Sequence, residues 1–130
     1  MLTDLSHGTK KKVRDIRETK LLKQGHVFSA DAYAGKAEAD IEDIIGDAFY
    51  CDLVNQCYNL TPPVQPSPTT TRIVPHVEDH FRVVAKTAPE FDHYRPAEYL
   101  TQQGDTFNPA GLAVALNNFE RLFRDLNALL

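Results

Sequence analysis

Residues 38–58 read EADIEDIIGDAFYCDLVNQCY. The run predicts a helix over residues 39–58 with a break near Gly46-Asp47, where Asp47 can cap the second part. In that second part Phe49, Leu53 and Cys57 recur at spacing four, and so do Tyr50, Val54 and Tyr58. Residues four apart share a helix face, so two adjacent apolar rows make a surface wide enough to demand burial. Cys51 and Cys57 lie six apart on different faces, which predicts two reduced thiols, with Cys57 continuing an apolar stripe.

Upstream, Met1–Leu5 is short and partly apolar and reads as a strand end. Ser6-His7-Gly8-Thr9 supplies turn and cap chemistry, and residues 9–23 read as a helix with Val13, Ile16 and Leu21 as a modest stripe, stopped by Gly25. His26-Val27-Phe28-Ser29 is a short strand candidate. Strand, helix and strand in succession imply parallel pairing. The expected fold class is therefore α/β and helix-rich: a partial parallel β-α-β unit followed by a mainly helical C-terminal region.

Downstream, TPPVQPSPTTT (61–71) carries four of the eight prolines and predicts an exposed linker. Three stretches follow from this: residues 1–60 with the acidic motif, the linker 61–71, and a helical region 72–130. In the last, Pro75 suits the first turn of a helix running to about Ala85, with Val77, Phe81 and Val84 inward. Pro96 opens a shorter helix that Gly104 stops, and His93-Tyr94 reads as part of a packed turn. Asn108 caps the last helix and Pro109 takes its first position. Leu112, Leu116, Phe119, Leu122/Phe123, Leu126 and Leu129/Leu130 form its expected stripe.

The chain has 130 residues, with 14 Lys+Arg against 18 Asp+Glu and a formal charge of −4. With 42% apolar residues it is an ordinary globular composition, so a disordered or collagen-like chain is out. No apolar run reaches the roughly 18 residues of a membrane span, and the N-terminus lacks a signal-peptide core. Together with the reduced cysteines, this predicts a cytoplasmic protein without a membrane partner. The mean charge conceals an asymmetry. Residues 10–23 hold seven basic side chains, Lys10, Lys11, Lys12, Arg14, Arg17, Lys20 and Lys23, whereas residues 38–52 hold six acids and no base. Such patches can bind polyanions and cations respectively, or simply neutralise each other across a surface.

The acids are the best local signal for chemistry. Glu38, Asp40, Glu42 and Asp43 fall within six positions. Carboxylates this close repel one another, and a divalent cation relieves the repulsion. Mg²⁺ takes one or two carboxylates with water and phosphate. Asp40 and Glu42 form the inward pair if the segment is extended. Glu38 with Glu42, or Asp40 with Asp43, share a face if it is helical. The competing reading is a solvated, acid-rich helix start. Asp4, near the end of the first strand, is a second candidate ligand, because ligands of open parallel sheets collect beyond the strands' carboxyl ends. His76 and His80 stand at helical spacing four, but their order fits no zinc-protease motif. Walker A, dinucleotide-binding and nucleophile-elbow motifs are absent.

The runs TDLSHGTKKKVRDIRETKLLKQGHVF, KAEADIEDIIGDAFYCDLVNQCY, RIVPHVEDHFR and PEFDHYRPAEYL resemble the C-terminal part of AAA/ABC-type ATPases that carry a Toprim nuclease domain. These are relatives of the overcoming-lysogenisation-defect endonucleases found among phage-defence systems. The resemblance implies a Toprim-like fold and cleavage of DNA that depends on Mg²⁺ or Mn²⁺. Asp4, Asp40 and Glu42 would be catalytic, Asp4, Asp40, Glu42 and Asp43 would hold the metal, and Lys10, Lys11, Lys12, Arg14 and Arg17 would hold DNA. Ser6 departs from the family's second acid. The family's upstream strand and its ATPase domain would precede Met1, so the chain is expected to be a truncated region, weak or inactive alone, whose partners are DNA and that upstream half. The alternative is a non-catalytic helical interaction or dimerisation module, in which the apolar faces of residues 47–58 and 109–130 bind a partner or a second copy as a homo-oligomer.

Overall fold

The computed structural model describes residues 2–3, 11–12, 14–15, 27–68 and 72–130. Helix dominates. Two strands, β1 (Leu2–Thr3) and β2 (Phe28–Ser29), pair in parallel with Leu2 opposite Phe28 and Thr3 opposite Ser29. Lys11, Lys12, Arg14 and Asp15, between them in sequence, are helical and exposed. A ladder of two residues per strand shows only the pairing sense; the Toprim-like β-α-β unit expected from the sequence is not shown. The expectations for Val13, Ile16, Leu21 and Gly25 fall outside the described residues.

Helix α1 (Ala30–Ala34) follows β2 directly, and a 3₁₀ turn (Ile41–Ile45) precedes helix α2 (Asp47–Tyr58). The break at Gly46 is where the sequence places it, although Asp47 occupies the first helical position rather than the cap. Both apolar rows of α2 face inward: Phe49, Tyr50, Leu53, Val54 and Tyr58 are buried, while Cys57 is half-buried. Asn59 ends the helix in the left-handed conformation, at φ 49°. Helix α3 (Ile73–Val83), helix α4 (Tyr94–Gln103) and helix α5 (Pro109–Asn127) complete the chain. Asn108 caps α5 as expected, its side chain accepting from the Ala110 N–H at 2.9 Å.

Two apolar clusters hold these elements. The larger joins α2 with Leu60, Val64, α3 (Ile73, Val74, Val77, Phe81), Ala85 and Phe107. The smaller joins Ala30, Tyr33, Ala39, Ile44 and Leu122, with Leu2, Phe28, Phe119 and Leu126 packed against it. Each cluster crosses the sequence-based boundary at 61–71. Helix α5 returns to the N-terminal region, where Tyr33 donates to Asp125 (2.8 Å), Asn118 to the Ile44 carbonyl (2.9 Å) and Arg121 to the Ala32 carbonyl (3.1 Å).

The proline-rich segment, predicted as an exposed linker, is anchored at several points along its described part. Its described part, residues 61–68, is irregular and mostly exposed, but Val64 is buried. Asn55 fixes it with two hydrogen bonds of 2.8 Å, donating to the Val64 carbonyl and accepting from its N–H. His76 and His80 meet the carbonyls of Gln65 (2.7 Å) and Pro62 (3.0 Å). A segment rich in prolines has more acceptors than donors. The paired histidines of α3 supply that deficit, which is what their helical spacing does here.

Two further differences concern stripes. Val84 is exposed and Ala85 takes the inward place after Phe81. In α5 the expected stripe holds at Leu122, which is buried, and at half-buried Leu112, Phe119 and Leu126, but Ala115 is buried where the spacing predicts Leu116, and Leu116 and Phe123 lie on the exposed flank.

Candidate functional site

The acidic segment is built around two buried carboxylates. Asp40 precedes the 3₁₀ turn in extended conformation, and Asp43 sits in its first turn. Burial without partners would be costly for either, and both have cationic ones. Arg72, the residue before α3, grips Asp40: its Nε lies 3.0 and 3.1 Å from the two carboxylate oxygens, and Nη2 also donates to Oδ1. Lys36 donates to Asp43 and to Asp47. The Asp43 carboxylate also accepts from the Asp40 N–H (2.7 Å) and from the Ile73 N–H (2.9 Å). That last bond satisfies a free N–H at the start of α3, whose own preceding residue provides no side-chain cap. Residues 72 and 73 are thus latched to the 3₁₀ turn at two points, by Arg72 on Asp40 and by Ile73 on Asp43.

The electrostatics follow from this geometry. Hydrogen bonding to Asp40 raises the Arg72 pKa above its ordinary value. Burial works against the Lys36 cation, but the bonds and charges of Asp43 and Asp47 together raise its pKa.

Glu42 points elsewhere. Its Oε1 is 3.4 Å from His93 Nδ1, and His93 Nε2 is 3.5 Å from Glu78 Oε1 on α3. The turn Phe91–His93 is tied to the core by Tyr58, which accepts from the Asp92 N–H at 2.8 Å and donates to the Asp92 carbonyl at 3.3 Å. Arg95 covers the Tyr58 ring at 4.5 Å. Glu42 and His93 stand on a cleft between the 3₁₀ turn and α4, where Tyr50 also contributes to the wall. The Tyr50 hydroxyl is buried and has no hydrogen-bond partner. Burial, and then the charge of Glu42, push its pKa upward.

The structure therefore brings Asp40 and Asp43 together and turns Glu42 away from them. Asp4, Lys10 and Arg17 lie outside the described residues; Lys11, Lys12 and Arg14 are exposed. Among the described residues no group of three or more His, Cys, Asp or Glu side chains is arranged to hold a metal ion. In this arrangement the donors of Arg72, Lys36 and the backbone engage the carboxylates of Asp40 and Asp43, while Glu42 faces His93. Comparisons with protein-family models, with curated proteins and with solved structures give no match. No helix among the described residues is long and apolar enough to cross a membrane.

Arg72 and Lys36 are the residues that sequence reasoning missed. Lys36 stands two positions before the acidic run, a base at its edge that could have been weighed as a partner. Arg72 is about thirty residues away across a proline-rich segment, and nothing local points from it to Asp40.

Proposed function

We propose that this chain is a non-catalytic helical interaction module that pairs with a second copy of itself through α5. The acids at 40 and 43 are parts of its scaffold. The observation that carries the reading is the exposed apolar flank of α5, where Leu116 and Phe123 are 64% and 57% exposed. Half-buried Leu112 and Phe119 continue this flank, and the Phe119 and Phe123 rings stack with centroids 6.1 Å apart. Residues at 112, 116, 119 and 123 follow helical spacing along one edge. Beside them Glu120 pairs with Arg124 at 3.1 Å, so the edge carries no net charge to repel its own copy. Two such helices can meet about a two-fold axis, where each presents the same patch to the other. Sedimentation velocity over a concentration series tests this. A dimer that is lost in the Leu116→Lys/Phe123→Lys double variant supports the reading; a monomer at every concentration overturns it.

A second reading, the Toprim-type region of a metal-dependent DNA endonuclease, is favoured by one observation, the parallel pairing of β1 with β2. It would place Asp4, Asp40, Glu42 and Asp43 at a Mg²⁺ or Mn²⁺ site, DNA on the helix bearing Lys11, Lys12 and Arg14, and an ATPase domain as partner. It requires Arg72 to release Asp40. Calorimetric titration with Mn²⁺ separates the two readings: heat of binding abolished by Asp40→Ala and by Glu42→Ala supports the nuclease, and no heat supports the module.

A further inference from the structure

The proline-rich segment has a pattern that the pairing of α5 leaves unused. Its burial repeats at every third residue: Val64 is buried and Ser67 half-buried, whereas Pro62, Pro63, Gln65, Pro66 and Pro68 are exposed. Its hydrogen bonds repeat at the same interval. The carbonyls of Pro62 and Gln65 meet His80 and His76, which stand one helical turn apart on α3. A strand repeats at two residues and an α-helix at about 3.6. A repeat of three belongs to the polyproline II helix, which makes no internal hydrogen bonds and so leaves its carbonyls to outside donors. One row of this ridge, Val64 and Ser67, is held against the protein, and a second is tied through its carbonyls to α3. Pro63 and Pro66, three apart and both exposed, make the outer row. Asn55 holds the middle by the N–H and the carbonyl of Val64. A ridge ordered in advance gives up little conformational freedom on binding. Residues 60–71 contain no charged side chain. A groove that reads a base beside the prolines finds none here, whereas flat aromatic rings fit what the ridge exposes.

We propose that residues 63–66 are a docking ridge for a partner protein whose groove is lined by uncharged aromatic side chains, the rings packing on Pro63 and Pro66. Asn55, His76 and His80 are its positioning residues. The inference is independent of whether α5 pairs with a second copy, since α2 and α3 supply the anchors.

The test is titration of the ¹⁵N-labelled full chain with two unlabelled probes: a WW domain, whose groove is aromatic, and an SH3 domain, whose aromatic groove ends in an acidic pocket. The WW domain is expected to shift the amides of Val64, Gln65 and Ser67, the residues of the ridge that carry an N–H, and the SH3 domain to leave them in place. Pro63→Ala with Pro66→Ala should weaken WW binding about tenfold or more. Both prolines are exposed, so this variant keeps the fold, and the Asn55 side-chain amide signals verify that the ridge stays anchored. His76→Ala with His80→Ala keeps the prolines but removes two anchors, and should weaken WW binding about threefold or more. His76→Gln with His80→Gln, whose amides can still donate, should restore it. The proposal is overturned if the WW domain leaves those amides unshifted at millimolar concentration, if the double proline variant binds as well as the parent, or if the SH3 domain binds as tightly as the WW domain. Equal binding by the double alanine variant of the histidines overturns the part given to the anchors.

Discussion

Asp43 accepts from three separate places: the Lys36 side chain, the Asp40 N–H and the Ile73 N–H. It is 1% exposed, so no water replaces a lost partner. Asp43→Ala leaves two buried backbone donors without an acceptor and Lys36 with Asp47 alone, and should destabilise the chain by about 2–4 kcal/mol; the urea midpoint measures this, and a change under about 1 kcal/mol would refute the structural role. Tyr50 makes the opposite case. Its orphaned hydroxyl weakens the chain, so Tyr50→Phe should raise stability by about 1–3 kcal/mol in the same assay. The two residues also show where sequence reading stops. The closeness of Glu38, Asp40, Glu42 and Asp43 was legible and signalled mutual repulsion in need of a cation. That one of the cations is Arg72 depends on a tertiary contact that spacing does not encode, whereas Lys36 stands at the edge of the run itself.

Among the elements, α2 and α5 were the most legible. The double apolar row of α2 and the Asn108-Pro109 start of α5 are local signals that packing leaves intact. The inward line of α5 was legible at Leu112, Phe119, Leu122 and Leu126, but spacing alone did not show that Ala115, and not Leu116, faces the core. The proline-rich stretch was half legible. Its irregularity follows from the prolines, but its attachment through Asn55, His76 and His80 does not. Gly46 shows how closely these elements meet. It has φ 93°, and a Cβ there would lie 3.3 Å from Val114 Cγ1 of α5. Gly46→Ala therefore combines left-handed strain with a tight contact and should cost about 1–3 kcal/mol. Adding Val114→Ala should recover only part of the loss, because the backbone strain stays; full recovery by thermal melting would show that contact alone is responsible.

For the whole molecule the ionisation shifts point to alkaline pH. Burial, followed by the charges of Asp47 and Asp52, pushes the Cys51 thiol from 9.0 to about 12. Burial and the hydrogen bond to Asp125 push Tyr33 from 10.0 to about 12. The unfolded chain loses these protons from pH 9 upward, while the folded chain holds them to about 12. The folded state therefore binds more protons in that window, and stability falls as pH rises through it. Lys36, whose pKa is also raised, adds to the loss above 10.5. Urea midpoints should be level below pH 9 and decline from there to pH 12; a midpoint that rises across this range would contradict the burial of Cys51 and Tyr33.

The latch between residues 40–43 and 72–73 has one more consequence. Because the Arg72–Asp40 ion pair, the Ile73 N–H bond to Asp43 and the larger apolar cluster all bridge the proline-rich segment, the peptide bonds of that segment are not what keeps its two flanks in place. A protease that nicks the chain there should leave both fragments travelling as a single particle, separable only by denaturant.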